Sequence, residues 1–252
     1  MAVLLPPWFQ TAVDELLGRG LPAPADAMRA AAWTPDRPWS WCPRCGSASC
    51  PGVEACPGVE ACAGLEACAE RPGHAHGAGG PATVVRLGAH EGHLRRWVID
   101  VKHARWEAMG ERLGALLGEQ LLACGVVRRG DANASLVPVP MPWLRAHARG
   151  IDHSAVIAAA ASRATGVRMV RALGQRLVGT QVDRPGRASR ASASESRARF
   201  IPRPRARRAL SGLHAVLVDD VRTTGATLAE SARALRFLGA SRVDAAVISV
   251  AE

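Results

Sequence analysis

The residues best suited to chemistry form one run. Two adjacent carboxylates, Asp219 and Asp220, follow the apolar stretch Ala215 to Val218 and precede Thr223-Thr224-Gly225-Ala226-Thr227. An apolar stretch that short, ending abruptly in charge, reads as a buried strand. Beyond the small residues, Leu228, Ala232 and Leu235 recur at helical spacing. The order is strand, acidic pair, hydroxyl-and-glycine loop, helix. Small residues let backbone N–H groups close around an anion, and a helix start adds partial positive charge, so the loop suits a phosphate. It has neither the lysine and spacing of a Walker loop nor the three glycines of a dinucleotide fingerprint. Carboxylates repel phosphate, so the acidic pair should face a neutral or cationic part of the same ligand. Ribose hydroxyls donate well to paired carboxylates, and a Mg2+ could lie nearby. A ribose phosphate satisfies both halves. The alternative is a strand–turn–helix whose polar turn binds nothing.

A second anion site is suggested upstream. Ser135 to Pro140 reads as a strand kept short by its prolines, and it leads into a basic loop carrying Arg145, His147 and Arg149-Gly150. In open α/β sheets ligands sit beyond the carboxyl ends of strands. The Arg149 guanidinium, with the close backbone approach that Gly150 permits, suits pyrophosphate. The alternative is a solvated basic loop.

Cysteines supply a third candidate. Trp41-Cys42-Pro-Arg-Cys45-Gly46 has the form of a zinc knuckle, in which a tight turn brings two thiolates onto one tetrahedral ion. A second Cys-x-x-Cys is missing. In its place a repeat of period six, residues 50–68, sets Cys50, Cys56, Cys62 and Cys68 in near-identical contexts. The candidate ligands are Cys42, Cys45, Cys50 and Cys56, with His74 and His76 as further possibilities; the alternative is a degenerate knuckle of free thiols. Cys124, isolated after an apolar helix, reads as a small core residue.

These residues need elements to hold them. At 252 residues the chain can build one sizeable core plus an appended module. Residues 1–81 form the cysteine-rich N-terminal part, with a short amphipathic helix expected over 8–18, little periodicity over 18–40, and a linker from Glu70 to Pro81. Residues 82–252 form the main domain. Thr83 to Leu87 suggests a strand, Leu94 to Val101 a helix ending at Lys102, and Arg105 to Leu122 a helix with one apolar face marked by Met109, Leu113, Leu116, Leu117 and Leu121. A helix through Val156 to Ala161 follows the basic loop. Gly179 to Phe200 lacks a period and reads as a flap or long surface loop, and Arg242 to Val250 is the last strand. Such alternation predicts an α/β fold, a mostly parallel twisted sheet with helices on both faces.

The totals narrow the class. The net charge of +10 gathers between Arg171 and Arg208, where eleven arginines stand against Asp183 and Glu195. That surplus could attract phosphates, including a nucleic-acid backbone. It could equally reflect an arginine-for-lysine bias, since Lys102 is the only lysine. No apolar run approaches the roughly 20 residues of a membrane span. The N-terminus has no basic leader, so a cytoplasmic protein with reduced cysteines is expected.

Taken together, the segments resemble the ComF family, also called competence protein F or amidophosphoribosyltransferase-like, over about the last 165 residues and more weakly in the cysteine module. The family's Gly-x-Leu-Arg…Lys segment is matched by Gly92-His93-Leu94-Arg95 and Lys102. Its Val-Pro-Val-Pro strand and Arg-Gly are matched by Val137 to Pro140 and Arg149-Gly150, and its phosphoribosyl-pyrophosphate (PRPP) loop by Val218 to Leu228. The chain departs from the pattern at Ile151-Asp152-His153, where Phe-Asn-Gln is usual. It departs again at Arg222, often apolar in the wider family, and at the missing second cysteine pair. The resemblance implies a type I phosphoribosyltransferase domain behind a zinc module. Asp219 and Asp220 would hold the ribose hydroxyls, Thr223 to Thr227 the 5′-phosphate, and Arg149 and Gly150 the pyrophosphate, with Mg2+ accompanying PRPP. The acceptor is unknown. It also implies a different role on the same fold, non-catalytic and in DNA uptake, with single-stranded DNA or competence machinery as partners.

Overall fold

A computed structural model of the chain describes residues 21–50, 80–103, 106–141, 152–175 and 200–252. The helix expected over 8–18, the repeat beyond Cys50, the Arg149-Gly150 loop and the flap up to residue 199 lie outside the described residues. In chain order the elements are α1 (Pro24–Ala30), β1 (Val84–Ala89), α2 (Gly92–His103), α3 (Glu107–Ala123), β2 (Ala134–Pro138), α4 (His153–Thr165), β3 (Leu173–Gln175), β4 (Phe200–Pro202), α5 (Ala206–Leu210), β5 (His214–Arg222), α6 (Ala226–Phe237) and β6 (Arg242–Val250).

Four strands pair in the order β1-β6-β5-β2, and every pairing is parallel. β3 and β4 form a separate antiparallel pair. The α/β class and the parallel sheet expected from the alternation are therefore present. Successive side chains of a strand leave on opposite faces, so a run without polar alternation needs cover on both. The start of β5 has it. Val216 and Val218 pack with Leu87, Leu136 and Ile248 against residues of α2, α3 and α4. Ala215 and Leu217 pack with Val137, Ala245 and Val247 against Leu228, Ala232 and Leu235 of α6.

The close contact of α3 with α4 comes from glycine. Gly110, Gly114 and Gly118 recur every fourth residue and so share one face of α3. A Cβ at Gly114 would lie 2.5 Å from the Ile157 carbonyl oxygen, and one at Gly118 would lie 2.9 Å from that of Ala161. Only bare backbone lets α4 come so near. α4 is fixed at its own start by Asp152, whose carboxylate accepts the Ala155 N–H at 3.2 Å and pairs with Arg171 at 3.2 Å. The departure at Ile151-Asp152-His153 thus supplies an N-cap, a position that favours Asp.

Residues 21–50 lie against the sheet. The helix α1 was not foreseen; it begins at a proline, which is tolerated in a first turn, and it buries Met28 in the core. The Trp41 indole donates to the Val84 carbonyl at 2.9 Å, and the Val84 N–H donates to the Pro43 carbonyl at 2.6 Å. Arg86 is buried between Asp36 at 2.9 Å and Glu252 at 2.6 Å, with Trp41 over its guanidinium. Among the described residues no helix is long and apolar enough to cross a membrane.

Candidate functional site

β5 is longer than its apolar run. Its ladder with β6 continues through Asp219 opposite Val247, Val221 opposite Ser249 and Arg222 opposite Val250. Asp219 and Asp220 therefore stand within the strand, near its carboxyl end, and not in the loop after it. Beside them opens a cleft of about 180 Å3, lined by both acids, Thr227 of α6, Lys102 of α2, His153 and Ser154 of α4, Val139 and Pro140 beyond β2, Gln175 and Phe200.

The two carboxylates are held differently. Asp220 meets the Lys102 ammonium at 3.0 Å. Asp219 accepts the Ser154 hydroxyl at 3.1 Å and the Asp220 N–H at 3.0 Å through the same oxygen, Oδ1. Burial, and then the neighbouring Asp220 charge, push the Asp219 carboxyl up to about 7, against the Asp220 N–H, Ser154 and Lys102. Ionised, the Asp219 carboxylate presents oxygens to hydroxyl donors. A hydrogen bond of 2.8 Å joins His90 Nδ1, just past β1, to Ser249 Oγ of β6. Burial first, then Lys102 and Arg95, hold His90 below its usual value, which favours the neutral ring.

The loop ends in a left-handed glycine. Gly225 has φ +80° and stands at the N-cap of α6, where it offers no side-chain acceptor to the first turn. Its carbonyl accepts the Ala229 N–H at 2.9 Å, while Ala226 N–H reaches Thr224 Oγ1 only at 3.4 Å. The first N–H groups of a helix have no partner within it, so those of α6 are available to an outside acceptor. Thr223, Thr224 and Ala226 are exposed around them.

Of the residues singled out from sequence, Asp219, Asp220 and Thr227 share the cleft, Thr223 to Gly225 form the turn between β5 and α6, and Ala226 opens α6. Arg149 and Gly150 lie outside the described residues. Lys102, Ser154, His153, His90 and Ser249 complete the surroundings. Lys102 was marked by the family pattern alone. Ser154 had no spacing to betray it, though its place at the start of the helix after a strand's carboxyl end was a usable hint.

Three of the four candidate thiol ligands are described, and they converge. The sulfurs of Cys42, Cys45 and Cys50 lie within 4.8 Å of one another, so they are placed to hold one metal ion. Cys56 lies outside the described residues. Gly46 supplies the turn with φ +73°, and its N–H donates to the Cys42 carbonyl at 2.8 Å. Hydrogen bonding by the Cys45 thiol, with the Cys45 and Arg44 N–H groups, outweighs burial and brings the Cys42 thiol down to about 4. A readily formed thiolate among sulfur neighbours is the donor set that Zn2+ prefers. Cys124 behaves oppositely: burial pushes its thiol up to about 11, as suits a core residue. The chain matches no protein-family model and no curated protein.

Proposed function

We propose that the chain is a phosphoribosyltransferase-like protein of the ComF type that binds PRPP, or a related ribose phosphate, together with Mg2+. The observation that carries this reading is the acidic pair opening on the same cleft as Thr227, at the carboxyl end of a parallel strand. That end of an open α/β sheet is where ligands collect. The ionised carboxylates of Asp219 and Asp220 accept the two vicinal ribose hydroxyls. The N–H groups at the start of α6, with Thr223, Thr224 and Thr227, hold the 5′-phosphate. Arg149 and Gly150, on the strength of the resemblance, hold the pyrophosphate.

If turnover occurs, a nucleophilic nitrogen of an acceptor displaces pyrophosphate at ribose C1. The chain then contributes position and charge rather than covalent chemistry. Carboxylate oxygens suit Mg2+, and when bound it neutralises pyrophosphate charge. Lys102 holds Asp220 in place by its ion pair, and Ser154 holds Asp219 by its hydrogen bond. No residue is assigned as a general base. Cys42, Cys45 and Cys50, with Cys56 as the fourth ligand, hold a structural Zn2+.

Calorimetry with PRPP and Mg2+ on the wild-type chain and on D219A/D220A tests the reading. Binding by the wild type that the double variant lacks supports it, and a wild type that binds no PRPP overturns it.

A further inference from the structure

The turn between Cys45 and Cys50 is gathered onto one side chain, 203 to 205 positions away in sequence. The Glu252 carboxylate accepts the Ala48 N–H at 2.9 Å, the Ser49 N–H at 3.3 Å and the Ser49 hydroxyl at 2.7 Å, and it takes the Ser47 hydroxyl as well. Glu252 is itself held. Its Oε1 meets the guanidinium of Arg86, buried on β1, at 2.6 Å. The N–H of Ala251 beside it donates to the Arg222 carbonyl of β5 at 2.8 Å. The anchor therefore belongs to the sheet, and the turn belongs to the thiol cluster. Ser47 joins the two, because its carbonyl accepts the Cys42 N–H at 2.9 Å. A tight Cys-x-x-Cys turn sets only its own two sulfurs, here those of Cys42 and Cys45. Cys50 comes after Gly46 to Ser49, outside that turn, yet its sulfur lies within 4.8 Å of both others. Three of the residues on that path, Ser47, Ala48 and Ser49, are the ones Glu252 binds.

We infer that Glu252 is a positioning residue of the thiol cluster: by gathering Ser47, Ala48 and Ser49 it delivers Cys50 as the third metal ligand in a chain that has no second Cys-x-x-Cys. This rests on the metal reading of the cluster, which it deepens. Hydrogen-bonded partners behind a metal site orient the groups that touch the ion, and losing one weakens binding about 10- to 100-fold. A carboxylate fixed to two strands suits the task, since its position is set before any ion arrives. A clamp that only docked the turn onto the sheet would contribute stability and leave the donor set unchanged. The two roles therefore differ in the number of sulfurs on the ion.

The test titrates the full-length chain, without oxygen, with Co2+ and then with Zn2+ against a chelating dye. Thiolate-to-cobalt charge-transfer absorption per bound ion grows with the number of sulfurs, so it counts ligands where stability does not. C50S should lose the absorption of one thiolate. E252A, with Cys50 still present, should fall to the level of C50S and bind Zn2+ about 10- to 100-fold more weakly than the wild type. S47A/S49A removes two donors of the turn and leaves the Glu252–Arg86 pair intact. It should shift both readouts in the same direction, and it serves if E252A does not fold. Wild-type absorption and Zn2+ affinity in E252A, or in S47A/S49A where that variant stands in, overturn the assignment even if the unfolding temperature drops. A C50S that matches the wild type overturns it too, because Cys50 would then be no ligand. The two readings fail separately. A wild type that binds neither ion removes the metal reading and the assignment with it, whereas equal binding by wild type and E252A removes Glu252 alone.

Discussion

The Lys102 ammonium lies 3.0 Å from the Asp220 carboxylate, so a residue of α2 neutralises one half of an acidic pair carried by β5. Lys102 is the only lysine of the chain, which makes the contact unusually easy to observe. Reductive methylation with a 13C label gives one side-chain resonance. That resonance should move with a midpoint near pH 7, following Asp219, and D219N should abolish the inflection. A flat titration in the wild type would detach Lys102 from the pair.

The raised Asp219 carboxyl also sets a pH dependence. Its ordinary value is 3.8 and its folded value about 7. Between these the folded state binds more protons than the unfolded one, so stability falls as pH rises from about 4 to about 7. D219N should be more stable than the wild type at pH 8, on the order of 2 kcal/mol, and should lose that slope in denaturant titrations. Ligand affinity should run the other way. Ribose hydroxyls need the ionised acceptor, so binding should weaken below pH 7.

The glycine face of α3 predicts a sharp cost for one methyl group. G114A should destabilise the chain by about 2–3 kcal/mol, because the added Cβ would meet backbone that cannot turn aside. The effect should reach the cleft through α4, which carries Ser154, and weaken ribose 5-phosphate binding. Gly125, where no atom lies within 4 Å of an added Cβ but φ is +66°, is the contrasting site. G125A should cost only about 1 kcal/mol of backbone strain and leave binding unchanged.

Metal content tests the thiol cluster. The wild type should purify with about one equivalent of Zn2+, and C45S with less than half as much, since three converging sulfurs would fall to two. Chelation should lower the unfolding temperature of the wild type by several degrees, at roughly 2–4 °C for each kcal/mol, and leave C45S unmoved. A wild type that retains no metal would identify the cluster as plain thiols.

Much of the frame was legible because burial writes itself into periodicity. Ala215 to Val218 announced a strand covered on both faces, and Leu113, Leu117 and Leu121 announced the buried stripe of α3. Three things were hidden. Gly110, Gly114 and Gly118 were passed over because a hydrophobic pattern marks what fills space, and these residues matter by leaving it empty. The strand's extension through Asp219 to Arg222 was missed because carboxylates ended the apolar run, although ladder hydrogen bonds need no apolar side chains. Ser154 depends on a contact between residues 65 positions apart, which no local spacing records. The acidic pair itself was readable because its chemistry is carried by two adjacent side chains.

That extension of β5 has a consequence for how a ligand would be received. The backbone of Asp219 is paired with β6 at Val247, so the acidic pair is set in place before anything binds. Conformational freedom that a loop would surrender on binding has here been lost already, when the chain folds. Recognition at this wall should resemble a key meeting a cut lock, with little rearrangement in rate or heat attributable to the strand itself.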